Sequence, residues 1–206
     1  MIYTDLIYDF DGTIADSYPA FTEALLVMLE RYGISDTYEH ALSLLKVSVK
    51  NALESYDLGL DIKAARVEFR DIRNPIMMEN AKPMAGAETL LRFVKVHGGR
   101  NYIYTHSPNY IWSLLEKWGL RDYFEGGVTA DDDFPTKPAP DALNFICAKY
   151  GIDREKCLMI GDRDIDIEAG KNAGIKGVLL DPDGFYRDYS TEFSVSTLPE
   201  IIKLIQ

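Results

Sequence analysis

Basic residues are scarce in this chain: 22 Lys and Arg stand against 33 Asp and Glu, giving a net charge of −11 at pH 7. A phosphate backbone would meet net repulsion from such a surface, which excludes nucleic acid as the expected partner. No apolar run approaches the roughly 20 residues that a membrane-crossing helix needs, so no membrane association is expected. Cysteine is limited to Cys147 and Cys157, both in apolar surroundings without a CxxC pair or a His-rich neighbourhood, so buried thiols are expected rather than metal ligands or a disulfide. Met1 leads straight into IYTDLIYD, without a basic n-region, a long apolar h-region or a small-residue cleavage site, and the expected compartment is the cytoplasm. Internal repeats and low-complexity tracts are also missing. What remains, 47% hydrophobic and 27% charged residues over 206 positions, is the composition of a globular protein with a real core.

Short apolar runs bounded by turn residues recur at 6–8, 102–105, 127–129, 158–160, 177–180 and, weakly, 193–195. Between most of them lie stretches with helical spacing, such as Leu90, Leu91, Val94 and His97 ahead of Gly98-Gly99, or NYIWSLLEKW ahead of Gly119. Strand and helix in alternation imply parallel strands joined by crossover helices, hence an α/β protein with a Rossmann-like, three-layer α/β/α core.

Residues 16–82 break that rhythm. Phe21, Leu25, Met28, Leu29 and Tyr32 keep helical spacing and stop at Gly33; Asp36 and Glu39 suggest a capping box for a second helix; Asp61 suggests the cap of a third that runs to Pro75. With no strand signal there, the expectation is an all-helical insertion after the first strand, with residues 1–15 and 83–206 forming the α/β core.

Ligands of a parallel α/β sheet bind beyond the carboxyl ends of its strands. The expected strand ends carry Asp9-Phe10-Asp11-Gly12-Thr13, then Thr105-His106-Ser107, then at a distance Lys137-Pro138, then Gly161-Asp162-Arg163-Asp164-Ile165-Asp166. Two carboxylates at alternate positions leaving a strand face the same way, so Asp9 and Asp11 can address one ligand, and Asp162 and Asp166 bring more negative charge to the same edge. Crowded carboxylates repel unless a hard cation neutralises them, and Mg²⁺, which favours oxygen ligands, suits such a site. With a metal present, a carboxylate can attack a phosphoryl group to form an aspartyl-phosphate that water then hydrolyses. Lys137, the Thr105 hydroxyl and the backbone N–H groups around Phe10, Asp11 and His106 supply the charge and donors that phosphoryl oxygens require. Asp11 is placed to move the proton. Taken singly, each residue also has an ordinary role: a solvated Asp-Gly turn, a β-branched strand residue, a loop lysine, a helix N-cap.

The ordered set DFDGT, a strand-terminal Thr, KPAP, and GDRDID followed by EAGKNAG resembles the four motifs of the haloacid dehalogenase-like phosphatase superfamily. DGTIADS followed by a helical insertion resembles its phosphoglycolate phosphatase-like branch, whose helical cap follows the first motif. The resemblance implies that Asp9 is the nucleophile and a metal ligand, and that Asp11 is the general acid/base and ligates metal through its carbonyl. It also implies that Thr105 and Lys137 hold phosphate together with the backbone at His106, that Asp162 ligates Mg²⁺, and that Asp166 supports the metal directly or through water. The His106 imidazole stands where Asn or a small residue is frequent, and a surface or locally bonded ring is expected, against the alternative of a substrate contact. In the insertion, Lys46 and Ser48 are expected to reach the site and help select an anionic substrate, against the alternative of ordinary exposed helix residues.

The expected activity is Mg²⁺-dependent hydrolysis of a small phosphorylated metabolite by a monomer or homodimer. A phosphomutase of the same superfamily is the alternative; a dehalogenase would leave Asp11 idle, a phospho-receiver would order its acids differently, and a non-catalytic binding protein would show decay of the acids. A second Asp-x-Asp-Gly, Asp181-Pro182-Asp183-Gly184, is expected to be only a turn, because Pro182 has no N–H to offer a phosphate.

Overall fold

The computed structural model describes residues 1–206. β1 (Asp5–Tyr8) opens the fold, and β2 (Ala15–Asp16) and β3 (Lys82–Pro83) are two-residue strands that form a small sheet of their own. β4 (Arg100–Tyr104), β5 (Phe124–Val128), β6 (Cys157–Gly161), β7 (Lys176–Leu180) and β8 (Phe193–Val195) join β1 in a six-stranded sheet ordered β5-β4-β1-β6-β7-β8. Every neighbouring pair in that sheet is parallel. The chain therefore winds outward from β1 to one edge and then outward from β6 to the other, the Rossmann-like arrangement whose switch point lies between β1 and β6.

The chain divides into two compact units, Met1–Ala15 with Pro83–Gln206, and Asp16–Lys82. The second unit holds α1 (Tyr18–Arg31), α2 (Tyr38–Val47), α3 (Val49–Glu54) and α4 (Ile62–Asn80). α1 buries Phe21, Leu25, Met28 and Leu29 on one face. Three details differ from the expected pattern, the first being that four helices stand where three are expected, because Ser48 caps the short α3 separately. α2 is capped by Thr37, whose hydroxyl accepts from His40 N at 3.2 Å, because the Asp36 carboxylate is engaged elsewhere, by Thr37 N, by the His40 ring and by the Tyr56 hydroxyl. α4 begins where Asp61 accepts from Ala64 N, as its position suggests, but it does not stop at Pro75. A proline inside a helix costs about 3 kcal/mol; here Phe69, Ile72 and Met77 are buried on both sides of it, Phe69 edge-on to Phe21, and that packing outweighs the lost bond.

The first unit contributes α5 (Ala87–Val96), α6 (Tyr110–Lys117), α7 (Asp141–Tyr150), α8 (Asp164–Asn172) and α9 (Ile201–Ile205). Alternation along the strands gives the sheet two buried faces. Ile7, Tyr102, Tyr104, Cys157 and Met159 pack in one cluster with Ala142, Leu143 and Ile146 of α7 and Ala169 of α8. On the opposite face Tyr8 donates to Asn101, whose amide donates in turn to the Leu91 carbonyl of α5. Because β1 and β6 are buried on both sides, residues 6–8 and 157–161 read as unbroken apolar runs. Each large aliphatic side chain so enclosed contributes about 1.5–3 kcal/mol, which fixes the register at the strand ends where the polar groups emerge. No helix is long and apolar enough to cross a membrane.

Candidate active site

Asp9 is delivered by the sheet itself: its N–H donates to the Ile160 carbonyl at 2.8 Å, extending the β1–β6 register one residue past β1. The chain then turns sharply. The Phe10 carbonyl accepts from the N–H groups of Thr13, Ile14 and Ala15, and Gly12 has φ 79°, a left-handed conformation that side-chain-bearing residues avoid. This turn sets Asp11 beside the strand ends instead of carrying it away from the sheet.

Asp9, Asp162 and Asp166 each offer a carboxylate oxygen, and these oxygens lie within 4.8 Å of one another. Into this acidic group projects Lys137, fully buried, with Nζ 2.5 Å from Asp9 Oδ1 and 2.7 Å from Asp166 Oδ1. The same ammonium lies 4.6 Å from the centre of the Tyr104 ring. Burial pushes the Asp9 carboxyl up; Lys137 pulls it back, Asp166 and Asp11 push it up again, Arg163 opposes them, and the balance lies at about 7. For Lys137 burial disfavours the charge, but Asp166 and Asp9 more than compensate and hold it above its ordinary range. One ammonium thus pairs with two of the three clustered carboxylates, leaving a surplus of negative charge that a hard divalent cation would relieve. The donor set fits such an ion, since all three ligands are carboxylate oxygens and two of the residues are buried.

Asp166 is held at this point by two local features. Its Oδ2 accepts from Arg163 N at 3.2 Å across the first turn of α8. Gly161, the last residue of β6, leaves the space it occupies, because a Cβ there would collide with the Asp166 side chain. The N-cap of α8 is Arg163 and not Asp162, while Asp166 is an acid of the helix's first turn.

At the end of β4, Thr105 is buried and its hydroxyl accepts from Ser107 N at 3.0 Å. His106 is exposed, but its Nε2 accepts from the backbone N–H of Lys137 at 2.9 Å, so the ring proton sits on Nδ1 and the imidazole anchors the lysine loop. Ser107 donates to Asp11 Oδ2 at 2.5 Å. Asp9, Asp11, Thr105, Lys137, Asp162 and Asp166 all belong to this edge of the first unit. Ser107, Tyr104 and Gly161 belong there too; Ser107 and Gly161 fall within the strand-end stretches that the sequence marks, though without a role, and nothing in the sequence signals Tyr104.

The remaining candidates are placed by other contacts. Lys46 is in the last turn of α2, and Ser48 joins α2 to α3, its hydroxyl accepting from Asn51 N at 2.9 Å. Asp181 follows β7 and its two oxygens accept from Phe185 N and Tyr186 N at 2.8 and 2.9 Å, the pattern of a turn.

A family model described as haloacid dehalogenase-like hydrolase matches residues 6–180. The fructose-1-phosphate phosphatase YqaB of Escherichia coli (strain K12) is 29% identical over 183 residues, covering 85% of this chain and 95% of that one. A phosphoglycolate phosphatase of Aquifex aeolicus (strain VF5) is 28% identical over 207 residues, covering 97% of this chain and 95% of the relative. Among solved structures, a hydrolase from Streptococcus pneumoniae TIGR4 is 32% identical with a TM-score of 0.68, covering 88% of this chain and 94% of that one.

Proposed function

We propose that this chain, which belongs to the haloacid dehalogenase-like hydrolase family, is a Mg²⁺-dependent phosphatase that hydrolyses a small phosphorylated metabolite through an aspartyl-phosphate on Asp9. The observation that carries this reading is the buried Lys137 ammonium bonded to Asp9 and Asp166 within a group of three carboxylates at the switch point of the sheet. Such a site combines a nucleophile, a cation for phosphoryl oxygens and ligands for a hard metal.

Asp9, Asp162 and Asp166 would hold the metal, with the Asp11 carbonyl. Bound there, Mg²⁺ supplies positive charge that offsets the repulsion between carboxylate and phosphate. Asp9 attacks phosphorus and forms the acyl-phosphate bond as the bond to the leaving oxygen breaks. Asp11 gives its proton to that oxygen. Thr105, the backbone at His106 and Lys137 hold the phosphoryl oxygens. Water then attacks the phosphorus of the aspartyl-phosphate, Asp11 takes its proton, and Asp9 and inorganic phosphate are released. In this scheme residues 16–82 act as a cap that excludes bulk water, with Lys46 and Ser48 meeting the anionic part of the substrate. Ser48 uses an acceptor lone pair on Asn51 and keeps its O–H to donate.

The names of the relatives make fructose 1-phosphate and phosphoglycolate the first compounds to assay, within a wider panel of phosphorylated metabolites. Phosphate release from such a panel and from p-nitrophenyl phosphate is expected with Mg²⁺, with loss on chelation and in Asp9→Asn. Undiminished turnover by Asp9→Asn would reject the mechanism. Interconversion of phosphate isomers without release would favour a mutase.

A further inference from the structure

We infer that Ser107 is the positioning residue for Asp11, holding that carboxylate in the orientation from which it reaches the leaving oxygen; the inference rests on the phosphatase reading above. Asp11 needs such a partner. It stands one residue before the left-handed Gly12, is only partly buried, and lies close enough to Asp9 for the two charges to act on each other. Repulsion between like charges would turn its side chain away from Asp9 unless a donor held it.

Ser107 Oγ is that donor, 2.5 Å from Asp11 Oδ2, a short hydrogen bond between two side chains. The serine is itself fixed independently of this bond. Its N–H donates to Thr105 Oγ1 at 3.0 Å, its carbonyl accepts from Ala130 N at 3.1 Å, and it is 2% exposed. Two backbone anchors therefore hold the main chain, and the hydroxyl is left to act on Asp11. The Tyr110 hydroxyl, 3.4 Å from Ser107 Oγ, limits its rotation on the other side. With Oδ2 so engaged, the second Asp11 oxygen, Oδ1, is buried and has no hydrogen-bond partner. An orphaned buried carboxylate oxygen is costly in a resting protein. Here it is the atom presented to the leaving group.

A general acid matters in proportion to how badly the leaving oxygen needs a proton. An alkyl phosphate depends on it strongly and p-nitrophenyl phosphate little. The test is kcat/KM, which reports the phosphorylation step, for one alkyl phosphate and p-nitrophenyl phosphate with wild type, Ser107→Ala and Ser107→Thr in the presence of Mg²⁺. Ser107→Ala is expected to lose about 100-fold on the alkyl ester, in line with misplacement of a catalytic group by about 1 Å, with a several-fold smaller loss on the aryl ester. Ser107→Thr, which keeps the hydroxyl, is expected to restore most of the difference. Equal losses on both esters, no loss on either, or a Thr variant no better than Ala would overturn the proposal. Thermal unfolding of each variant identifies a folding defect, and Ser107→Thr remains decisive where Ser107→Ala does not fold. Failure of the wild type to hydrolyse either ester would remove the phosphatase reading, and the proposal with it.

Discussion

Lys137 Nζ lies 2.5 Å from Asp9 Oδ1, and neither side chain has appreciable contact with solvent. The lysine also bonds to Asp166, so it is the cation that makes a buried pair of acids tolerable in the absence of metal. Removing one member of a buried ion pair leaves the rest uncompensated and costs about 3–5 kcal/mol. Lys137→Ala is therefore expected to lower the urea midpoint of the metal-free protein markedly, to recover part of that loss with Mg²⁺, and to reduce kcat/KM by about 100-fold or more through the lost phosphoryl contact. A variant as stable as wild type without metal would show that the ammonium is not compensating the acids.

The Asp9 carboxyl, pushed up to about 7, makes the metal-free protein sensitive to pH in a defined direction. Its unfolded value is the ordinary 3.8, so between 3.8 and about 7 the native state holds the proton more strongly than the unfolded state does. Stability from this group is then greatest below the unfolded value and declines as pH rises through the window. The metal-free protein is expected to become easier to unfold from pH 4 to 7, with the trend flattened in Asp9→Asn, which cannot ionise. Mg²⁺ competes with the proton, so its stabilising effect should be larger at pH 8 than at pH 5. Urea titrations with and without metal at the two values check both signs.

Gly161 has no catalytic group, yet its missing Cβ is where Asp166 sits. Gly161→Ala is expected to push Asp166 off its place between Arg163 N and Lys137, costing about 1–3 kcal/mol as other over-packing changes do. Mg²⁺ affinity should fall at least tenfold, as when the support of a metal ligand is disturbed. Isothermal titration with Mg²⁺ measures this; unchanged affinity would mean that Asp166 can shift without harm to the metal.

The difference between Gly161 and Asp9 also explains what a sequence can disclose here. Strands buried on both faces leave an unbroken apolar signature, so β1 and β6 and the acids that follow them are visible as LIYD and LMIGD. Contacts made across long separations leave none. Ser107 meets Asp11 from 96 positions away, and Gly161 matters only because the next helix turns Asp166 back against it. The same cause shifted the helix ends of the second unit. Asp36 and Thr37 are both good caps, and the choice fell to Thr37 because Tyr56, 20 positions later, takes part of the Asp36 carboxylate. Pro75 is a stop signal locally, but the burial of Phe69, Ile72 and Met77 overrides it.

Asp9 and Asp181 stand at the head of the chain's two Asp-x-Asp-Gly stretches, and their surroundings predict opposite results. The Asp181 carboxylate is occupied by the N–H groups of Phe185 and Tyr186, with Gly184 N 3.4 Å from its carbonyl, so its oxygens close a turn at the end of β7. Asp9 accepts instead from Lys137 and shares a cluster with two other acids. Asp181→Ala removes two side-chain hydrogen bonds from a partly exposed loop, at a net cost of about 0.5–1.5 kcal/mol each. It is expected to lower thermal stability by that order while kcat/KM on p-nitrophenyl phosphate stays within about threefold of wild type, since no atom of the proposed chemistry is touched. Asp9→Asn keeps the side-chain volume but removes the attacking charge, and should lose activity by at least about 1000-fold, as expected when a nucleophile is replaced. Assaying the two variants side by side separates the roles: a large catalytic loss in Asp181→Ala with unchanged stability would place the second stretch in the chemistry and undo its assignment as a turn.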